Sequence, residues 1–205
     1  MDNILCWNVR GLNGLNKKED ISLVLNKHNV GLVGLLETKV KPHNINRVAN
    51  ASQGWQSYSN TQPGVKDRIW VLWKPNRYTV QIKRTTEQVI HCEIAQTSTQ
   101  KHFHITFVYG YNRVEQRRPL WLTLREISQQ TTGRWMVTGD FNAVLHMQDR
   151  LGGDEVQDSE VREYAECIEH CELTEMRTLV ATTHGQTRAV MKKGYGQGLI
   201  GLSRI

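Results

Sequence analysis

The stretch Trp135-Met136-Val137-Thr138-Gly139-Asp140-Phe141-Asn142 decides how the rest of the chain reads. A short apolar run that breaks at a Gly-Asp pair is a buried strand running into a turn. It delivers a carboxylate, and an amide two positions on, to the end of that strand. A carboxylate so placed can bind Mg²⁺ or act as a base, and the neighbouring Asn can orient a water or hold a phosphate oxygen. Taken alone, the pair is equally a turn dipeptide.

Working outward, two more apolar runs end the same way. Residues 3–9 read as a short strand carrying Asn8, and Val30 to Leu36 as a buried strand that stops at Glu37-Thr38. In-line attack on phosphorus needs a metal to polarise oxygen, an aligned water and donors for developing charge. Asn8, Glu37 and Asp140/Asn142 could supply these if the three strand ends meet, which spacing alone does not prove.

Between these ends, Asn16 and Glu19 form a capping-box-like start to a helix. Pro42 predicts a second, short helix through Ile45, Val48 and Ala49. Strands are expected over 55–59, 68–73, 78–84, 89–94 and 102–109. A helix is expected from Pro119 to Gln129, and another from Ser159, with Cys167 and Cys171 on its inner side. After Leu173 the pattern weakens, and residues 192–201 read as a Gly-rich loop. Strands and helices alternate at both ends with consecutive strands between. That order predicts an α/β sandwich of two mixed sheets with helices outside.

The 205 residues suit one domain, with 39% hydrophobic and 22% charged. No apolar run reaches membrane-spanning length and the N-terminus does not read as a signal peptide, so no membrane partner is expected. Four scattered cysteines point to a reducing, intracellular setting. The nucleus is one candidate compartment, although Lys192-Lys193 is too short for a localisation signal. A net charge of +6 suits a polyanion partner. The basic residues Lys39, Lys41, Arg113, Arg117 and Arg118 follow strand ends and either line a nucleic-acid groove or form a solvated face. Cys167, His170, Cys171 and His184 lack the usual spacings of a zinc site. Packing explains the two thiols better, as it does most of the six tryptophans. Oligomeric state is not legible.

Five segments in order resemble the endonuclease/exonuclease/phosphatase family. They are Cys6-Trp7-Asn8-Val9-Arg10-Gly11-Leu12, Leu35-Leu36-Glu37-Thr38, Phe107-Val108-Tyr109-Gly110, Val137-Thr138-Gly139-Asp140-Phe141-Asn142 and Asp149-Arg150-Leu151-Gly152-Gly153. The last is similar to a pattern of plant LINE-type retrotransposons, whose endonuclease domain resembles that of apurinic/apyrimidinic endonucleases. The resemblance implies a four-layer α/β sandwich and Mg²⁺-dependent hydrolysis of phosphodiesters, with Mn²⁺ as an alternative ion. Glu37 would bind the metal and Asn8 would help hold Glu37 or the ion. Tyr109 would contact the scissile phosphate, Asp140 would orient or deprotonate the attacking water, and Asn142 would position phosphate. Arg10, Asn112, Arg113, Arg150 and Thr183 would face DNA.

The family pattern has a Trp where His184 stands. Ser203-Arg204-Ile205 is similar to the start of a motif whose next residue is Asp, and a later Asp and His complete the family's site. The expectation is a single incomplete domain over 1–205, lacking its last strands and impaired in catalysis. Two other readings stand beside the nuclease: a non-catalytic remnant that binds nucleic acid weakly, and a phosphatase of small or lipid phosphoesters on the same fold.

Overall fold

The computed structural model describes residues 3–12, 16–40, 54–60, 68–143, 158–175, 179–180, 188–192 and 201–203. The helix expected from Pro42 lies outside the described residues.

The first sheet grows from a parallel pair. β1 (Asn3–Asn8) leads through helix α1 (Asn16–Lys27) to β2 (Val30–Leu36), and the two strands run side by side with Asn8 opposite Leu36. All seven residues of β2 are buried, as its unbroken apolar run requires. Val33 and Leu35 pack with Ile21 and Leu25 of α1, while Leu32 and Leu36 face the second sheet. β3 (Gln56–Ser59) and β4 (Ile69–Trp73) extend this sheet antiparallel to β2.

The second sheet begins as an antiparallel meander of β5 (Tyr78–Thr85), β6 (Val89–Gln96) and β7 (Lys101–Tyr109). Helix α2 (Val114–Gln130) crosses over to β8 (Trp135–Asp140), parallel to β7 with Tyr109 opposite Asp140. Helix α3 (Asp158–His170) follows. β9 (Leu173–Glu175), β10 (Leu179–Val180), β11 (Arg188–Lys192) and β12 (Gly201–Ser203) occupy the stretch where the sequence pattern weakens. β11 and β9 join the second sheet beside β8, whereas β12 lies between β1 and β10. The first sheet therefore continues past β1 rather than ending there.

The two mixed six-stranded sheets pack face to face. Their shared core includes Leu32, Leu36, Val71, Ile90, Ile105 and Phe107, each worth about 1.5–3 kcal/mol when fully buried. α2 and α3 cover the second sheet through Leu124, Trp135, Val137, Tyr164 and Cys167. The α/β sandwich expected from element order is the observed fold. Gly34 permits the close approach of the sheets: a Cβ there would lie 2.1 Å from the Phe107 ring.

Two expectations need correction. α2 starts at Val114, five residues before Pro119, which lies inside the helix. Proline suits a first turn in isolation. Here the buried Arg117 side chain fixes the earlier turn through the carbonyls of Tyr111 and Asn112, at 3.1 and 3.2 Å. Arg117 is thus a structural residue, not a groove-lining cation. Arg118 is also engaged, donating to Glu163 of α3 at 2.9 Å.

Cys167 and Cys171 are buried in the core under α3, and the Cys167 thiol donates to the Trp121 carbonyl at 3.7 Å. His170 is exposed, and His184 lies outside the described residues. Trp70, Trp73, Trp121 and Trp135 are buried, with Trp7 and Trp55 packed partly against the core. Among the described residues, no helix is long and apolar enough to cross a membrane.

Candidate active site

Parallel pairing sets the geometry. β1 and β2 point one way, as do β7 and β8, so Asn8, Leu36, Tyr109 and Asp140 all stand at carboxyl ends of strands. Facing sheets bring the two sets together. The Asn8 side-chain amide donates from Nδ2 to Asp140 Oδ2 at 3.0 Å, across 132 residues of sequence. Its Oδ1 accepts the Arg10 backbone N–H at 3.2 Å. Both ends of the amide are engaged, so its orientation is fixed. Asn8 thus holds Asp140, a partner not among the two expected for it, Glu37 and the metal ion.

Asp140 has its other oxygen fixed too. Oδ1 accepts the Asn142 backbone N–H at 3.1 Å. Asn142 has φ +47, and its Nδ2 donates to the Gly110 carbonyl at 2.7 Å. Gly110 must lack a side chain, because a Cβ would lie 2.3 Å from the Phe141 carbonyl oxygen. Arg117 also donates to the Asn142 carbonyl, so one buried guanidinium clasps the loops after β7 and β8.

Tyr109 is buried between the sheets. Burial pushes its phenol up to about 12, with the charges of Glu37 and Asp140 adding to the rise. Arg68 and a hydrogen bond to the Asn142 side chain oppose it. The phenol is therefore a protonated donor at neutral pH. Glu37, after β2, and Asp140, at the end of β8, are thus each within electrostatic reach of the Tyr109 phenol.

Glu37 follows β2 in a left-handed conformation, φ +53, and its carboxylate pairs with the Lys39 ammonium. Arg10 (φ +50) and Lys39 (φ +49) are left-handed as well. With Asn142, four non-glycine residues around this rim hold a conformation that costs free energy. Such positions cluster where a site imposes its own geometry.

The oxygen donors fit a hard divalent cation. Glu37 already binds a positive group, and Asp140 lies near. Among the described residues no cluster of three or more His, Cys, Asp or Glu could hold an ion. Mg²⁺ asks for less: one or two carboxylates, with water and phosphate completing the octahedron.

Of the residues expected to face nucleic acid, Arg10, Asn112 and Arg113 are exposed. Arg150, Thr183 and Lys41 lie outside the described residues. Sequence reading missed Gln88, Asn60 and Arg68. Gln88 is buried; it donates to the Gln116 carbonyl at 3.0 Å and accepts the Tyr111 N–H at 2.8 Å, bracing the loop after Tyr109. Asn60 accepts the backbone N–H groups of Arg68 and Ile69, and donates to the Thr86 and Glu87 carbonyls at 3.0 and 2.9 Å. It thereby ties the sheets together beside the site. Both resemble ordinary loop residues in sequence. A buried amide is recognisable only from what surrounds it.

The family model described as Endonuclease/Exonuclease/phosphatase family matches residues 5–190. No curated protein sequence matches the chain. Among solved structures, an AP endonuclease from Leishmania major superposes with a TM-score of 0.72 at 13% identity, covering 94% of this chain and 79% of that one. The endonuclease domain of TRAS1, a telomere-specific non-LTR retrotransposon, gives 0.68 at 12% identity, covering 94% and 85%. The 3′ phosphatase NExo from Neisseria, bound to a product DNA hairpin, gives 0.64 at 14% identity, covering 94% and 87%. At these identities the likeness is one of fold.

Proposed function

The chain belongs to the endonuclease/exonuclease/phosphatase family, and from that premise we propose that it is a Mg²⁺-dependent phosphodiesterase that nicks DNA, of the kind LINE-type retrotransposons carry. The observation that carries this reading is the Asn8–Asp140 hydrogen bond, which holds a carboxylate oriented beside Tyr109 and Glu37 at one rim. The net charge of +6 favours a polyanionic substrate. The domain organisation proposed is a single unit over the whole sequence.

Family nucleases generally use divalent metals. Here Glu37 would hold the ion, releasing Lys39, and the ion would neutralise charge on the phosphoryl oxygens. The chain's own residues do the rest. Asp140 accepts the proton of a water as its oxygen attacks phosphorus. The P–O ester bond opposite breaks, and the leaving oxygen takes a proton from solvent. Asn8 and the Asn142 N–H keep the Asp140 carboxylate in one plane before substrate arrives, so no reorganisation is needed at the moment of reaction. Tyr109 donates its phenolic proton in a hydrogen bond to a non-bridging oxygen. The Asn142 side chain steadies that phenol, and Arg10, Asn112 and Arg113 offer contacts to the flanking backbone.

A second reading, a folded domain that binds nucleic acid without turnover, draws on the placement of the described histidines. His104 stands opposite Trp135, five positions along the ladder from the Tyr109–Asp140 pair. His91 is spent on Thr106, with Nδ1 at 2.8 Å from its Oγ1.

Nicking of supercoiled plasmid by the purified chain, with Mg²⁺, with Mn²⁺ and with EDTA, beside an Asp140→Ala control, tests the first reading. Metal-dependent nicking that vanishes in the control supports it. A folded protein that binds DNA and never nicks leaves the second. Turnover of a small phosphomonoester without nicking points to a phosphatase.

A further inference from the structure

Arg68 stands just before β4, and its backbone is pinned at both ends. Its N–H donates to Asn60 Oδ1 at 3.3 Å, and its carbonyl accepts from Thr38, the residue after Glu37, at 3.4 Å. The guanidinium carbon lies 4.5 Å from the centre of the Tyr111 ring and 5.7 Å from that of Tyr109. Tyr111 is itself held by hydrogen bonds from its hydroxyl to Glu87 and from its N–H to Gln88. The stacking platform is therefore rigid.

Arg68 is half-buried, and its Nε is buried without a hydrogen-bond partner. A buried charged donor without an acceptor is rare in a folded protein, because it has given up water and received nothing in return. Stacking on an aromatic face occupies the flat side of a guanidinium and leaves its N–H edge for an in-plane, two-oxygen ligand. The neighbouring charges make the case sharper. Glu37 and Asp140 both act on Tyr109, and a phosphate approaching them would be repelled unless a cation shares the site. Arg68 supplies that charge without neutralising either carboxylate by an ion pair.

We propose that Arg68 is a substrate-binding residue that grips a phosphate of the nucleic acid next to the one attacked at Asp140, with the Tyr109 and Tyr111 rings as its backing. This rests on the phosphodiesterase reading above. Arg68 takes no part in proton transfer; it sets where the strand lies.

The test measures binding of the full chain to a fluorescent duplex oligonucleotide by anisotropy, in EDTA and over a range of salt. Arg68→Met keeps the length of the stem and removes the charge. Its log Kd against log[salt] should lose a slope of about 0.9, the share of one phosphate, and its Kd at low salt should rise about 10-fold. Arg68→Lys keeps the charge without the fork, so it should restore the slope but not the full affinity. A methylphosphonate placed at one flanking position should weaken wild-type binding and leave Arg68→Met unchanged. Slope and affinity equal to wild type in a folded Arg68→Met would overturn the proposal while leaving the nicking assay free to support the phosphodiesterase. A wild-type chain that shows no salt-dependent DNA binding would overturn both. Should Arg68→Met fail to fold, Arg68→Lys with the methylphosphonate series decides: a loss at one position no smaller than in wild type refutes the contact.

Discussion

Asn8 on the first sheet donates to Asp140 on the second at 3.0 Å, joining the carboxyl ends of β1 and β8. Since its other end is held by the Arg10 N–H, the amide cannot turn away. Asn8 thus acts through Asp140. Asn8→Ala should lower kcat about 10- to 100-fold, the usual cost of removing a partner that orients a reacting group, with little change in KM. Asn8→Asp would set a second carboxylate against the first and move the acid limb of the pH–rate profile to higher pH. A kcat for Asn8→Ala within about 2-fold of wild type would show that Asp140 needs no such support.

Lys39 pairs with Glu37, the residue proposed to hold the metal. The ammonium and the divalent ion then compete for one carboxylate. Lys39→Met should lower the Mg²⁺ concentration at half-maximal nicking severalfold, and Glu37→Gln should raise it by more. Metal titrations of nicking rate check both. Identical midpoints in all three proteins would remove Glu37 from the metal site.

His91 should make the fold sensitive to acid. Burial, reinforced by the nearby charges of His104, Lys83 and Arg84 and opposed by Glu93, lowers its pKa to about 4. The neutral ring accepts or shares a proton with Thr106, and Thr106 also receives the Trp135 indole N–H at 2.7 Å. The unfolded chain takes up the proton near pH 6.5, the folded chain only near 4, so the stabilisation is complete above about pH 6.5 and is lost as pH falls toward 4. At about 1.4 kcal/mol per pH unit, the loss reaches roughly 3 kcal/mol. Urea midpoints measured at pH 7.5 and pH 5 should separate for the wild type and converge for His91→Gln.

Gly34 faces the Phe107 ring so closely that a methyl group cannot enter without displacing it. Gly34→Ala should cost about 1–3 kcal/mol, the range for overpacking a filled core. Combining it with Phe107→Leu should give less destabilisation than the sum of the two single changes. Additive values from urea denaturation would mean that the ring moves aside freely.

The rim was largely legible in sequence because its residues close apolar runs. Asn8, Glu37 and Asp140 each end a strand that is buried on both faces, and a polar residue at such a point is conspicuous. What the sequence could not convey was partnership. Nothing in the local pattern pairs Asn8 with Asp140 rather than with Glu37; facing of the two sheets does that. Arg117 read as one more surface cation, since an arginine buried against three carbonyls has the same neighbours in sequence as a solvated one. Pro119 misled for the opposite reason: its local preference for a first turn is real, and contacts from Arg117 to a distant loop outweigh it. The strands β9 to β12 are short, with two to five residues each, too few to impose a period.

Every reacting group named here lies at or past the last rung of a ladder, with the hydrogen-bonded pairs of β1–β2 and β7–β8 behind it. Chemistry and architecture are consequently written in separable parts of the chain. A lineage can exchange a part-exposed rim residue such as Glu37, changing or losing its reaction, while the sheets behind it go on assembling as before. Good yield and a sharp unfolding transition would therefore certify the scaffold and say nothing about turnover.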